Sequence, residues 1–330
     1  MNANGPGTPP VTLEITLAPP DLRHAEHVLP HQLRTWATQV REILCVVDLR
    51  KVPGRPDRSW EPDGHRLLEL VDRCCAPYPH ARRRVVDYGA DAARGVSDFF
   101  LFGKPVPPKT YRGGPFYAYF WGLHEAVNHY VLHLDSDIMF GGGSQTWVDE
   151  AMGLLKDRPN VLVCQPLPGP PTADGRVHAA GAEPEPGPVP AFRFTTITTR
   201  YFLIDRDRFR ERIGGLEVRA HSPALKKVGL LEWLGGLGDL PMRDRLRPLT
   251  LATPRVDLPE RLLGEAMAAA GMHRLDYLGR EPGMWTLHPL ERTESYYEIL
   301  PKLVARIERG EVTEPQRGLS DLDASMLATD

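Results

Sequence analysis

The chain is poor in cysteine, and the four it has (Cys45, Cys74, Cys75 and Cys164) form no Cys-x-x-Cys pair. That spacing excludes a disulfide framework and a zinc-finger type of site. Three of the four stand among apolar neighbours and read as core thiols of a reducing compartment. Long apolar runs are missing too. FFLFG and YAYFWGL fall far short of the ~20 residues that a membrane-spanning helix needs. The opening MNANGPGTPP has neither the basic start nor the apolar stretch of a secretory signal. Nor is there a surplus of positive charge. Lys and Arg number 40 against 43 Asp and Glu, a formal net charge of −3, which excludes a general nucleic-acid binder. The expectation is a soluble, cytoplasmic protein with neither nucleic-acid nor membrane partners.

What is present is ordinary globular material: 330 residues, 42% hydrophobic and 25% charged, enough for one large α/β domain or two small ones. Short apolar runs alternate with amphipathic stretches in the rhythm of a parallel α/β sheet. VTLEITL (11–17) reads as a strand, and DLRHAEHVLPHQLRTWA as a helix interrupted at Pro30. EILCVVD (42–48) reads as a buried strand ending in an acid. A helix over 63–75 has Asp63 as N-cap, RRVVDYG (83–89) is a third strand, FYAYFWGLHEAVN is helical, and NHYVLHLDSD is a fourth strand. A helix (145–157) and a strand (160–166) follow. Residues 167–190 are Pro/Gly-rich and without periodicity, as in a lid, a binding loop or a disordered insert. Strand then returns over 192–209, with Asp205 capping a short helix. A helix over 257–272 has Asp257 and Glu260 as its capping box and Gly271 as its stop. HRLDYLG is a strand, GMWTLHP (283–289) a loop and SYYEILPKLVARIERG a terminal helix, and the last dozen residues read as frayed.

In an open parallel sheet, ligands bind outside the carboxyl ends of the strands. Three of the four early strands end in acids: Asp48, Asp87 and the pair Asp135 and Asp137. Converging carboxylates repel one another unless a cation lies between them. Mg²⁺ and Mn²⁺ are hard ions that take carboxylate oxygens together with a substrate phosphate. An Asp-Ser-Asp at a strand end is suited to a metal–diphosphate, although surface acids capping a turn give the same pattern. Gly141-Gly142-Gly143 just beyond permits tight turning of the backbone.

The stretch from Gly114 to Asp137 resembles the core of family 2 glycosyltransferases with the GT-A fold. Gly114, Ala118, Gly122 and Ala126 along a helix, then Tyr130-Val131, then Leu134, Asp135 and Asp137 fall at that family's spacing. The front of the chain is similar as well: a strand, PPDL, a helix, then VVDLRK. The Arg-Asn usual within the family's helix is replaced here by Tyr119-Phe120. The resemblance implies a Rossmann-like, mostly parallel central sheet flanked by helices, with a smaller acceptor-side subregion. After a Gly/Pro/Asn-rich start (1–10) that reads as disordered, it divides the chain into a nucleotide-sugar half (11–165), an acceptor half (166–290) with the loop 167–190, and a terminal helix and tail (291–330).

The resemblance also implies an activity: metal-dependent transfer of a sugar, with inversion, from a nucleoside-diphosphate sugar to a hydroxyl of a glycan or small-molecule acceptor. Asp48 would contact the nucleoside, Asp87 would assist at the base, and Asp135 and Ser136 would lie on the donor. Asp137, with Asp135, would hold Mn²⁺ or Mg²⁺, and His288 would return to the metal. Lys109 and Arg112 would add positive charge near the diphosphate, or stand as solvated loop residues. A base is needed to take the acceptor's proton. Glu260 stands in the family's place for it, with Asp257 and Asp239 in reserve. Trp233 and Trp285 could stack on a sugar or fill the core. Two rivals remain. One is a catalytically silent relative that binds a nucleotide sugar or an active enzyme, favoured by the missing Arg-Asn and the Pro-rich insert. The other is a sugar-phosphate nucleotidyltransferase, for which no Gly-rich, Arg-containing loop follows the first strand.

Overall fold

The computed structural model describes residues 8–51, 59–110, 114–218 and 257–322. Arg112, Trp233 and Asp239 lie outside them, as does most of the start expected to be disordered. The first strand, β1 (Val11–Leu17), alternates V-T-L-E-I-T-L and is buried along its whole length. Its odd positions join a core with the helices α1 (Leu22–Trp36) and α2 (Trp60–Cys75). Its even positions, Thr12, Glu14 and Thr16, are also buried, so the opposite face of the sheet carries a polar seam. β2 (Glu42–Val47) and β3 (Ala81–Val85) extend the sheet on one side of β1, and β4 (Tyr130–Asp135) lies on the other.

Between β3 and β4 run α3 (Ala90–Phe100) and α4 (Tyr117–Glu125), which pack into the second core. After β4 come β5 (Met139–Gly141), α5 (Trp147–Asp157) and β6 (Val161–Gln165). The short β7 (Leu167–Pro168) and β8 (Glu183–Pro184) follow, then β9 (Ala191–Phe194), β10 (Tyr201–Asp205) and α6 (Arg206–Arg212). The chain closes with α7 (Pro259–Ala269), β11 (His273–Tyr277), β12 (Trp285–Pro289), α8 (Glu294–Glu308) and β13 (Asp321–Leu322).

The main sheet has the order β3-β2-β1-β4-β10-β6-β11-β9-β8. Strands β3, β2, β1, β4, β6 and β11 run in one direction, and β10 and β9 run against them. This mostly parallel sheet flanked by helices is the architecture that the resemblance implies. Strands from 11–165 and 166–290 are interleaved, because β10 lies between β4 and β6. The third core forms where α8 packs beside a small sheet of β13, β12 and β5, with β7 also paired to β12.

Several local expectations are corrected. α1 runs through Pro30 without a break. The proline forfeits only the bond to the Glu26 carbonyl, and the buried stripe Leu22, Ala25, Leu29, Leu33 and Trp36 holds the helix together. α2 starts at Trp60, which puts Asp63 inside the first turn, where its backbone N–H bonds to the Ser59 carbonyl. Asp257 does not form a capping box, since Leu258 is the N-cap of α7 and no side chain caps it. The Asp257 carboxylate instead accepts from the Leu258 N–H at 3.2 Å and pairs with Arg261 at 3.1 Å. GMWTLHP is no loop: Trp285–Pro289 is a strand, buried through Trp285, Thr286 and Leu287. Asp321–Leu322, within the stretch expected to fray, pairs with it. Asp205 caps α6 as expected, accepting from the N–H groups of Asp207 and Arg208.

Candidate active site

The carboxyl ends of β1, β2 and β4 open into a cleft of about 330 Å³. Its walls include Asp21, Asp48, Lys51, Trp60, Lys109, Asp135, Ser136, Asp137 and Arg292. Asp48 follows β2 directly and is wholly buried. One of its oxygens takes the Lys109 ammonium at 2.6 Å, and the other accepts from the Tyr88 hydroxyl and the Arg50 N–H, each at 3.0 Å. Lys109 is itself buried against Asp48, so the solvated reading of that lysine does not hold. Asp87 takes another position: its carboxylate accepts from the Gly89 N–H at 2.7 Å, on the exposed approach to α3.

β4 ends at Asp135, and the chain turns at Ser136 and Asp137, so strand alternation does not govern the pair; both acids nevertheless line the cleft. Ser136 is fixed from below by His24, with Nε2 2.9 Å from its Oγ. Asp137 is only 2% exposed. Its Oδ2 faces the His288 Nε2 at 3.3 Å and is in close contact with the Arg292 guanidinium. Burial alone would raise its pKa. The His288 hydrogen bond and the Arg292 charge outweigh burial and hold this carboxyl well below the usual range. On its other side, the Nδ1 of His288 faces Asp321 at 4.0 Å. At that distance the two make no hydrogen bond, and the buried Nδ1 has no hydrogen-bond partner among the described residues.

Carboxylate and imidazole are donor types that suit Mn²⁺ or Mg²⁺; Asp137 and His288 meet at 3.3 Å, while Asp135 does not complete with them a group of three whose ligand atoms lie within 4.8 Å of one another. Asp137 already balances a positive partner, which is the condition a metal would meet there. By residue type and position, Asp137 and His288 fit the group. Among the described residues, the group of three that does bring its ligand atoms within 4.8 Å of one another is His129, Asp205 and Asp207. It lies at the opposite edge of the sheet, where Asp205 pairs with Tyr130 at the start of β4, and Asp205 there is occupied in capping α6.

Behind the acids runs the polar seam. The His133 Nδ1 is in close contact with Glu14, both wholly buried, and its Nε2 lies 3.5 Å from Asp135. Thr16 donates to Glu14 at 2.7 Å. Burial alone would lower the pKa of His133, but the carboxylates of Glu14 and Asp135 outweigh it and raise the imidazole to about 9. Gly122 on α4 makes room for the seam: a Cβ there would stand 2.5 Å from the Glu14 Oε1. A glycine at this position therefore has a local reason in this chain.

The acceptor-side candidates are more scattered. Trp285 is buried, with its ring against Gly141, which leaves no open face for a sugar. Glu260 is exposed at the second position of α7, near enough for its charge to reach Tyr119, whose ring packs on His133. Asp257 is turned into its contact with Arg261. The sequence reading missed Arg292, His24, Glu14 and His133. His133 alone carried a local signal, an ionisable residue inside the apolar run VLHLD.

No known family profile matches the sequence, and no curated protein matches it. Among solved structures, the chain is similar to a fragment of S. aureus TarS in complex with UDP-GlcNAc. The identity is 12%, the TM-score 0.33, and the match covers 62% of this chain and 47% of that one, under half of its length. It is also similar to glucosyl-3-phosphoglycerate synthase from Mycobacterium tuberculosis in complex with Mn²⁺, UDP-glucose and phosphoglyceric acid. There the identity is 14%, the TM-score 0.35, and the coverage 94% of this chain and 81% of that one. A third similar structure is the galactosyltransferase LgtC with donor and acceptor sugar analogs, at 12% identity, TM-score 0.35, and coverage of 91% and 100%.

Proposed function

We propose that the chain is a metal-dependent glycosyltransferase that moves a sugar from a nucleoside-diphosphate sugar to an acceptor hydroxyl. The observation that carries the reading is Asp137: a buried carboxylate at a strand-end cleft, facing His288 at 3.3 Å, beside Asp135. Together with the motif spacing from Gly114 to Asp137, that placement favours Asp137, Asp135 and His288 as holders of Mn²⁺ or Mg²⁺. When bound, the metal would supply positive charge to a departing nucleoside diphosphate. Asp48, pinned by Lys109 and Tyr88, offers a fixed acidic wall for the nucleoside end of the donor. Trp60, held by its indole N–H on the Leu49 carbonyl at 2.8 Å, offers a flat apolar surface in the same cleft. Glu260 and Asp257 are the candidates for taking the acceptor's proton, with Glu260 the more open of the two.

The test is thermal stability with a panel of nucleoside diphosphates, with and without Mn²⁺. A ligand at a hundred times its dissociation constant stabilises the native state by about 2.7 kcal/mol. A nucleotide that raises Tm only with Mn²⁺, in the wild type but not in Asp137→Asn, supports the reading. An equal response in the variant, or none in either protein, refutes it. Hydrolysis of the stabilising nucleotide's sugar conjugate then separates an enzyme from a silent binder.

A further inference from the structure

Arg292 stands where the proposed cation would have to go. Its guanidinium is in close contact with the Asp137 Oδ2, the same oxygen that faces His288. A divalent ion between Asp137 and His288 and a guanidinium on that oxygen are like charges at contact distance, and the two cannot share it. Arg292 is also free to leave. It lies between β12 and α8 in a run, Leu290 to Thr293, in which every residue is exposed. The run is pinned at its two ends, by the Leu290 N–H on the Leu322 carbonyl and by Thr293 capping α8. Rotation of the side chain alone takes the guanidinium off Asp137. The other described cations of the cleft are already engaged: Lys109 by Asp48, and Lys51 by Glu61 at 3.0 Å.

We infer that Arg292 is a resident counter-ion of Asp137 that the metal displaces, and that the displaced guanidinium then binds the diphosphate of the nucleotide. The inference rests on the proposed metal site. Its consequence is a coupling between the two ligands. Without nucleotide, Arg292 competes with the metal and weakens its binding. With nucleotide present, Arg292 has a better anion to bind, through the forked geometry that suits phosphate, so each ligand strengthens the other by the same factor. A residue that merely assisted nucleotide binding would leave the affinity for metal alone untouched.

The experiment measures Mn²⁺ affinity of the full chain by electron paramagnetic resonance, alone and with UDP or GDP, whichever stabilises the protein. Wild type, Arg292→Ala, Arg292→Gln and Asp137→Asn are compared. A charge-assisted hydrogen bond of ordinary strength corresponds to about a tenfold effect. Removing Arg292 should therefore tighten Mn²⁺ binding about tenfold without nucleotide, weaken nucleotide binding about tenfold with Mn²⁺, and abolish most of the coupling. The Gln variant is carried beside the Ala variant so that a folding defect in one leaves the other to decide. Unchanged or weaker Mn²⁺ affinity in the folded Arg292 variants overturns the inference while the metal site stands. Failure of the wild type to bind Mn²⁺, or equal binding by Asp137→Asn, overturns the metal site itself and the inference with it.

Discussion

Replacing His133 should change how stability depends on pH, and the structure gives the size of the change. The imidazole is wholly buried between Glu14 on β1 and Asp135 at the end of β4, with the ring of Tyr119 on α4 against it. In the folded chain it titrates at about 9, against about 6.5 for an unperturbed histidine. A raised histidine pKa contributes stability that is fully present below the unfolded value and is lost as pH rises through the folded one. The shift of about 2.5 units corresponds to roughly 3 kcal/mol in full at pH 5.5, about 2 at pH 7.5 and well under 1 above pH 9. Asp276, which burial raises to about 7 against the pull of Arg274, titrates alike in wild type and variant and cancels in their comparison. The assay is urea denaturation of wild type and His133→Gln at pH 7 and 9.5. The wild type should lose about 2 kcal/mol more than the variant across that interval. Equal losses, or a larger loss in the variant, would refute the reasoning.

Gly122→Ala forces a methyl against the Glu14 carboxylate and should destabilise by about 1–3 kcal/mol, whereas Gly153→Ala on α5, where nothing lies within 4 Å of the added carbon, should stabilise by about 0.5–1 kcal/mol; urea midpoints distinguish the two. Lys109→Met leaves Asp48 buried without its counter-charge and should cost about 3 kcal/mol, with weaker nucleotide binding by calorimetry. Glu260→Gln, in an enzyme of the proposed kind, should lower kcat for acceptor transfer at least about a hundredfold while the Tm shift with nucleotide and Mn²⁺ stays as in wild type; an unchanged kcat removes Glu260 from the reaction.

The acid-lined edge of the cleft was legible because its signals are local. EILCVVD and VLHLDSD each contain a buried strand and the acid at its exit, and parallel packing then brings Asp48 and Asp135 to the same edge. Arg292 was not legible, because nothing in Leu-Glu-Arg-Thr-Glu separates it from a surface run. What brings it to Asp137 is the pairing of β12 with β5, a contact between segments far apart in sequence. The same pairing explains why GMWTLHP was misread: flanking Gly and Pro signal a loop, and the partner that makes it a strand is remote. Glu14 looked like the polar half of an ordinary alternating strand. Only the helix over that face, with Gly122 above the carboxylate, shows the face to be buried.

The position of β10 has a consequence for the making of the protein. It pairs with β4 on one side and β6 on the other, yet it is translated after both. At ordinary synthesis rates of about 5–20 residues per second, the ribosome leaves the open side of β4, with its apolar Leu132 and Leu134, unpaired for some seconds. An unpaired apolar strand edge is a template for joining another chain. A chain cut after residue 165 would hold that exposure permanently. Asp135 of the cleft and this edge belong to the same strand, and the late arrival of Tyr201–Asp205 closes that edge.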